Sequence, residues 1–379
     1  MAKVSIERLH KRFHAGQDCA RAIDGLDLTI APGEFFVLLG PSGCGKTSTL
    51  RCLAGLDKPD AGRIRIGDHT VADPEAALFV PPHRRDIGMV FQSYALWPHM
   101  TVFNNVAYPL KARGKALTRG ELARLANQAL ELVDLRGLGE RYPHELSGGQ
   151  QQRIALARAL VASPQLVLFD EPLSNLDAQL RIYLRRELRA IHGKTGCTAL
   201  YVTHDQTEAL VLADRIGVMK AGRLEQLGSP EDVHERPATK SVALFLGFDN
   251  FVRGTVVECA SPYLGVDIGL GFPLYARAHA ALAVGDPVEI AVRASSLLAT
   301  PVSRGQTSHA LSLQIQDVDY HGERYEVAAN CGSLALRISL LARDWGGRAA
   351  FPPPSGEIHV DFPPDKLVAL PVHPMESDS

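Results

Sequence analysis

Residues 40–47 read Gly40-Pro41-Ser42-Gly43-Cys44-Gly45-Lys46-Thr47, a G-x-x-x-x-G-K-T pattern, and their setting constrains the fold more than any other stretch. Before them, Phe35 to Leu39 form an unbroken apolar run of the kind a buried parallel strand uses. After them, Thr47 to Leu56 place their bulkier apolar residues at helical intervals. The order is strand, glycine-rich loop, helix, the context in which this pattern cradles phosphate. Glycines let the backbone curl until its N–H groups point inward, and the helix terminus adds partial positive charge. Lys46 carries a full charge toward the β- and γ-phosphates of a nucleotide, and the Thr47 hydroxyl completes the shell of a Mg²⁺ ion. Ser48 is grouped with this loop, and Cys44 reads as a small residue within it, neither a redox group nor a metal ligand. The competing reading is a strand-to-helix turn that binds nothing.

The rest of the first 235 residues alternates strands and helices. Residues 3–8 and 22–30 alternate apolar with polar and read as strands leading into the phosphate-loop strand. Gly62 to Gly67 is a further short strand, followed by a proline- and charge-rich connection, 73–85, and the strand Ile87 to Phe91. Residues 101–136 turn helical, and Gly149 to Val161 is a second clear helix, stopped before Pro164. Leu166 to Phe169 is again fully apolar. A helix over 178–192, a strand over 198–202, a helix over 206–212 and a hairpin around Ala221-Gly222 complete the region. This pattern predicts an α/β core, a mostly parallel sheet with helices on both faces, and an inserted helical subdomain over about 95–160.

At 379 residues the chain exceeds one ordinary core, so two domains are expected. The character changes near Pro230 and Pro237. After a helix over 238–246, short strands separated by proline and glycine predict a small all-β, barrel-like domain over 237–372, with a polar tail over 373–379. Forty basic against 42 acidic residues give a formal charge of −2, so nothing global argues for nucleic acid. Six scattered cysteines without a CxxC pair fit a reducing compartment, and the histidines form no HxH or HxxxH cluster. The start of the chain has no apolar core of a signal peptide, and no apolar run approaches the ~18 residues of a membrane span. Work at a membrane then requires binding something embedded in it.

Four further stretches carry chemistry. Gln92 ends the strand 87–91, where its amide can coordinate magnesium or orient water and then move with the loop 93–100; on spacing alone a surface glutamine is the plainer reading. Ser147-Gly148-Gly149-Gln150 opens the helix containing Arg153: Ser147 is a good N-cap, and the same helix end with unfilled N–H groups is a second anion site. Asp170 and Glu171 stand at the carboxyl end of a buried strand, where α/β ligand sites lie. Asp170 suits a magnesium shell and Glu171 a general base for the attacking water; the alternative is a carboxylate pair capping the next helix. His204, after the strand 198–202, has reach toward a γ-phosphate, although a histidine there is commonly structural.

In order, GPSGCGKT, FQ (91–92), LSGGQ (146–150), LVLFDEP (166–172), SNLD (174–177) and TH (203–204) resemble the nucleotide-binding subunit of ATP-binding cassette transporters, whose core is a P-loop NTPase. LSGGQ separates that family from other phosphate-loop ATPases. The resemblance implies ATP and Mg²⁺ as ligands, with Lys46, Gln92, Glu171 and His204 catalytic and Thr47, Gln92 and Asp170 around the metal. It implies a head-to-tail dimer of two copies, each ATP lying between one phosphate loop and the other copy's Ser147, Gly148, Gly149 and Gln150. It further implies that Asp177 bridges the dimer and that an aromatic near the N-terminus stacks on adenine; Phe13 stands there, without a hydrogen-bonding tip.

The tail resembles the oligonucleotide-binding-like regulatory domain of importer ATPases for maltose, sulfate, polyamine or ferric iron. It carries Arg293-Ala294-Ser295 where relatives often have Arg-Pro-Glu. The reading is therefore an importer ATPase held peripherally at the cytoplasmic face of the membrane by transmembrane permease subunits, and indirectly served by a solute-binding protein. Residues 93–106 are the expected permease contact, against the alternative that Leu96 and Trp97 simply pack within the helical subdomain. Ferric iron, a polyamine or a phosphonate is the expected cargo, with sugar or sulfate as the alternative. A soluble cassette ATPase acting on nucleic acid or ribosomes is the rival of another class; neither a long coiled coil nor a second cassette is present.

Overall fold

The computed structural model describes residues 1–15, 18–112, 117–278, 281–300, 311–345 and 356–372. The expected polar tail, 373–379, lies outside them. The chain forms two compact units, Met1–Pro230 and Glu231–Ser379. The boundary expected from the sequence, 236/237, falls one short helix (Pro230–Glu235) further on.

In the first unit, strands β1 (Val4–Ala15) and β2 (Asp18–Ile30) pair antiparallel. Next come β3 (Phe35–Leu39), the phosphate-loop helix α1 (Lys46–Ala54), and strands β4 (Ala61–Ile66), β5 (His69–Asp73), β6 (Leu78–Phe79) and β7 (Ile87–Val90). The helical stretch is two helices before the signature segment, α2 (Val102–Ala112) and α3 (Arg119–Leu132), followed by α4 (Gly148–Leu160). Thr118 starts α3 afresh, because its hydroxyl and Glu121 form a reciprocal capping box. Strand β8 (Leu166–Asp170), helix α5 (Ala178–Thr195), strand β9 (Thr198–Thr203), helix α6 (Gln206–Leu212) and the hairpin β10 (Arg215–Lys220) and β11 (Arg223–Gly228) complete the unit.

These strands divide between two sheets. One runs β11-β10-β3-β9-β8-β7, parallel except for β11. Its strands β3 and β9 are buried at every residue, as central strands of a sheet covered on both faces are. The other is antiparallel, β2-β1-β4-β5-β6. The N-terminal strands precede the phosphate-loop strand, as expected, but pair in a sheet of their own. Their alternation buries Val4, Ile6, Ile23, Leu26, Leu28 and Ile30 on one side only, which suits a sheet with one solvated face. The connection 73–85, read as irregular, contains β6 and a short 3₁₀ turn at Pro82–Arg84.

In the second unit, strands Asn250–Ala260, Tyr263–Asp267, Leu274–Ala278, Pro287–Val292 and Val368–Pro371 close a five-stranded barrel. A separate five-stranded sheet is built from Leu298–Thr300, Leu311–Tyr320, Arg324–Cys331, Leu334–Leu341 and Glu357–Asp361. The expected single barrel-like body is therefore a barrel plus a second sheet sharing one apolar core.

Candidate active site

The parallel sheet sets the site by register. Leu39, the last residue of β3, pairs with Thr203, Val202 with Asp170, and Phe169 with Val90. The residues that follow are the phosphate loop, His204, Glu171 and Gln92, so four neighbouring strands deliver them to one carboxyl edge, where α/β sheets bind ligands.

Two glycines of the loop are fixed by close packing. A Cβ at Gly40 would lie 2.3 Å from the Met219 carbonyl oxygen, and one at Gly45 would lie 2.0 Å from that of Ala22. The loop is thereby clamped between the end of β10 and the backbone of β2. Gly45 is the N-cap of α1 with φ 106°, and no side chain caps the helix, so its first N–H groups face outward unfilled. Lys46 is 4% exposed, and its ammonium donates to the carbonyls of Gly40 and Pro41 at 2.9 and 2.8 Å. Among the described residues no carboxylate pairs with it, so a buried cation and a bare helix terminus share one concavity. That is the arrangement an anionic phosphate neutralises. The Cys44 thiol lies 3.7 Å from the ammonium, and burial raises its pKa, with Lys46 opposing. It packs beneath the loop.

Thr47 donates its hydroxyl to Asp170 Oδ1 at 3.3 Å. Burial raises the Asp170 carboxyl above its ordinary value, with Thr47 opposing and the neighbouring Glu171 adding to it. An oxygen pair of this kind fits a hard cation that keeps most of its shell for water and phosphate. Among the described residues no group of three His, Cys, Asp or Glu could hold a metal by itself.

Glu171 has φ 43°, the left-handed region that a non-glycine residue occupies only when its surroundings force it. Its N–H donates to the Val202 carbonyl at 3.1 Å, and its own carbonyl accepts from the Ser174 hydroxyl at 2.9 Å. The carboxylate meets His204 Nδ1 at 3.0 Å.

Sequence reasoning missed the bracing behind His204. The hydroxyls of Thr203 and Tyr201 donate to Glu208 at 2.7 and 2.8 Å, and the Asp205 N–H donates to the Thr203 oxygen at 3.0 Å. Burial raises the Glu208 carboxyl, the two hydroxyls opposing. The residues flanking His204 are both pinned. An acidic residue within the apolar spacing of α6 was the available signal.

Other expected residues, Gln92 at the same edge included, make no side-chain hydrogen bond to this cluster among the described residues. Gln92 is exposed, and Asn175 donates to its backbone carbonyl at 3.2 Å. Ser147 and Gln150 bond each other as a capping box at the start of α4, with Gly148 exposed and Gly149 packed against Leu180. Asp177 caps α5 by accepting the Leu180 N–H at 2.9 Å. Phe13 is 42% exposed, with the Lys11 ammonium 5.1 Å from its ring centre.

The ABC transporter family model matches residues 23–174. The trehalose/maltose import ATP-binding protein of Thermococcus litoralis is 54% identical over 239 residues, covering 62% of this chain and 64% of that protein, so this match spans somewhat under two thirds of the relative. The spermidine/putrescine import ATP-binding protein of Frankia alni is 41% identical over 98% of this chain and 80% of its own length. The ferric-ion import ATP-binding protein of Rhizobium meliloti is 45% identical over 83% of this chain and 85% of its own. A solved dimer of an ATP-binding cassette in a post-hydrolysis state with ADP and Pi superposes with a TM-score of 0.52 at 31% identity, over 60% of this chain and 98% of that one. The chain belongs to the ABC transporter family, in its group of import ATP-binding proteins, which are ATPases.

Proposed function

We propose that this chain hydrolyses ATP to energise solute import through a membrane permease. The observation that carries the reading is the meeting of Thr47 with Asp170 and of Glu171 with His204 at one sheet edge. Lys46 and the N–H groups of residues 43–48 hold the β- and γ-phosphates, and Phe13 stacks on adenine. Thr47, Asp170 and Gln92 hold Mg²⁺, which when bound neutralises charge developing on the phosphates. Glu171 takes the proton of the attacking water, and His204, 3.0 Å from that carboxylate, holds it in place beside the γ-phosphate.

The second half of each site is Ser147 to Gln150 of another copy, with Asp177 near the seam. The signature helix end satisfies itself within one chain and still presents Gly148 outward. The permease contact is 93–106. A groove of about 410 Å³ opens beside this segment, lined by apolar Met89, Phe91, Trp97 and Pro109 and also by Arg85 and Arg158, so it offers a partner both apolar and polar contacts. Such a partner holds the chain peripherally at the inner face of the membrane; among the described residues no helix is long and apolar enough to cross it.

Polyamine and ferric-ion relatives align over most of this chain, which favours that class of cargo. The 54% identity to a trehalose/maltose protein favours a sugar. Phosphate release by the purified chain tests the enzyme: turnover should require Mg²⁺ and vanish in Lys46→Ala with weakened ATP binding. Unchanged affinity in that variant refutes the cradle.

A further inference from the structure

Arg158 lies within the apolar run Ile154 to Leu160 of α4 and is only 7% exposed. Its guanidinium donates to the carbonyls of Ala95 and Tyr94 at 2.6 and 2.8 Å. Those two consecutive residues have φ 48° and 60°, the left-handed region that a chain of L-residues adopts in succession only under constraint. The same guanidinium sits 5.0 Å from the centre of the Trp97 ring, whose other neighbour is Tyr108 at 4.4 Å. Burial of this charge among carbonyls pulls its pKa down to about 10.

The next residue, Ala159, makes an independent contact. A Cβ on Gly88 would lie 2.3 Å from the Ala159 carbonyl oxygen, so α4 and β7 touch backbone to backbone. Strand β7 leads to Gln92, and the loop after it carries Tyr94, Ala95 and Trp97. One turn of α4 therefore grips both the strand before Gln92 and the loop after it. The amino end of the same helix, some 11 residues or ~16 Å away, is the signature segment.

We infer that Arg158 is a positioning residue for ATP hydrolysis: it locks the backbone after Gln92 to the signature helix and to the Trp97 wall of the neighbouring groove, so that Gln92, the helix and the groove move as one piece. The inference rests on Gln92 acting at the nucleotide, as proposed above. It adds a mechanical link that neither the phosphate loop nor the carboxylates supply. Truncating Arg158 frees the loop from its strained conformation while leaving the phosphate cradle untouched.

Trp97 is the reporter. The chain has two tryptophans, so Trp345→Phe leaves Trp97 alone to be read by fluorescence in the full-length protein. In that parent, Mg-ATP should change Trp97 emission. Adding Arg158→Met should abolish the change and lower turnover by roughly ten- to hundredfold, as misplacing a group near the reacting atoms does. ATP affinity, measured separately by displacement of a fluorescent analogue, should stay within about threefold, because Arg158 does not reach the cradle. Arg158→Lys, which keeps charge but loses the fork that spans two carbonyls, should behave like the Met variant. Should Arg158→Met fail to fold, Gln92→Ala in the same parent carries the test and should also silence Trp97. An Mg-ATP response that persists in Arg158→Met or Gln92→Ala, or a parent that binds ATP without any response, overturns the link. A parent that does not bind ATP overturns the proposed function instead, which the separate affinity measurement distinguishes.

Discussion

His204 Nδ1 and Glu171 Oε2 lie 3.0 Å apart, although the two residues are 33 positions apart and leave adjacent parallel strands. The contact exists because β8 and β9 are in register, with Asp170 opposite Val202, and because Glu171 is turned out of the strand at φ 43°. A carboxylate held in a strained backbone, with an imidazole on one oxygen, leaves its other oxygen for a water. His204→Ala should therefore lower turnover by about 10²-fold or more while ATP still binds, since it removes the partner that orients the general base. Rapid-quench phosphate release and equilibrium ATP binding measure the two quantities. Turnover near that of the unmodified chain would make the contact structural.

The glycines of one loop are not equivalent. Gly43 has φ 79° with nothing within 4 Å of an added Cβ, whereas at Gly45 that atom would lie 2.0 Å from the Ala22 carbonyl oxygen. Gly43→Ala should then cost about 1–2 kcal/mol, the left-handed penalty alone. Gly45→Ala must push the loop off β2, and should cost more and abolish nucleotide binding. Denaturant midpoints of the two variants decide it; equal losses would contradict the packing account.

Asp170 gives a pH-dependent prediction. Its carboxyl is raised above its ordinary value, so the folded state holds the proton more tightly than the unfolded one. The stability it contributes is present when it is protonated and is lost as pH rises through its folded pKa. Without nucleotide or Mg²⁺ at neutral pH, Asp170→Asn should melt higher than the unmodified chain, and the gap should close on acidification below the carboxylate range. Mg-ATP should reverse the order, because only the carboxylate gains a cation. Melting curves across pH with and without Mg-ATP test both signs, and an Asn variant that melts lower at neutral pH without ligand would contradict them.

Ser147 separates capping from catalysis. Its hydroxyl accepts the Gln150 N–H and its N–H donates to the Gln150 side chain at 3.0 Å. Asp caps a helix as well as Ser does, but places a negative charge where a second anion site is proposed. Ser147→Asp should keep stability within ~0.5 kcal/mol and lose at least roughly tenfold in turnover, whereas Ser147→Ala should lose ~1 kcal/mol of stability. A fully active Asp variant would leave the segment a cap and nothing more.

What the sequence disclosed was local chemistry. The phosphate loop must be written in consecutive residues, so Gly40 to Thr47 were readable, and so were the unbroken apolar strands β3, β8 and β9. Strands placed by tertiary partners were less readable. Residues 3–8 and 22–30 were readable as strands but not as members of a separate antiparallel sheet, because alternation reports one buried face without saying which sheet owns it. The pieces around 263–267, 274–278 and 368–371 carry weak patterns and become strands by closing a barrel. Arg158 reaches the carbonyls of Tyr94 and Ala95, far away in sequence, and Glu208 gathers hydroxyls from the preceding strand; only a charged residue inside an apolar helical face hinted at either.

The most direct test of the central claim is the turnover of Glu171→Gln beside its ATP affinity. Glutamine keeps the size of the side chain and cannot take a proton from water. The account predicts ATP binding within about threefold of the unmodified chain and hydrolysis reduced by about 10²–10⁴-fold. Hydrolysis close to that of the unmodified chain would show that Glu171 is not the base and that the reading of this site is wrong.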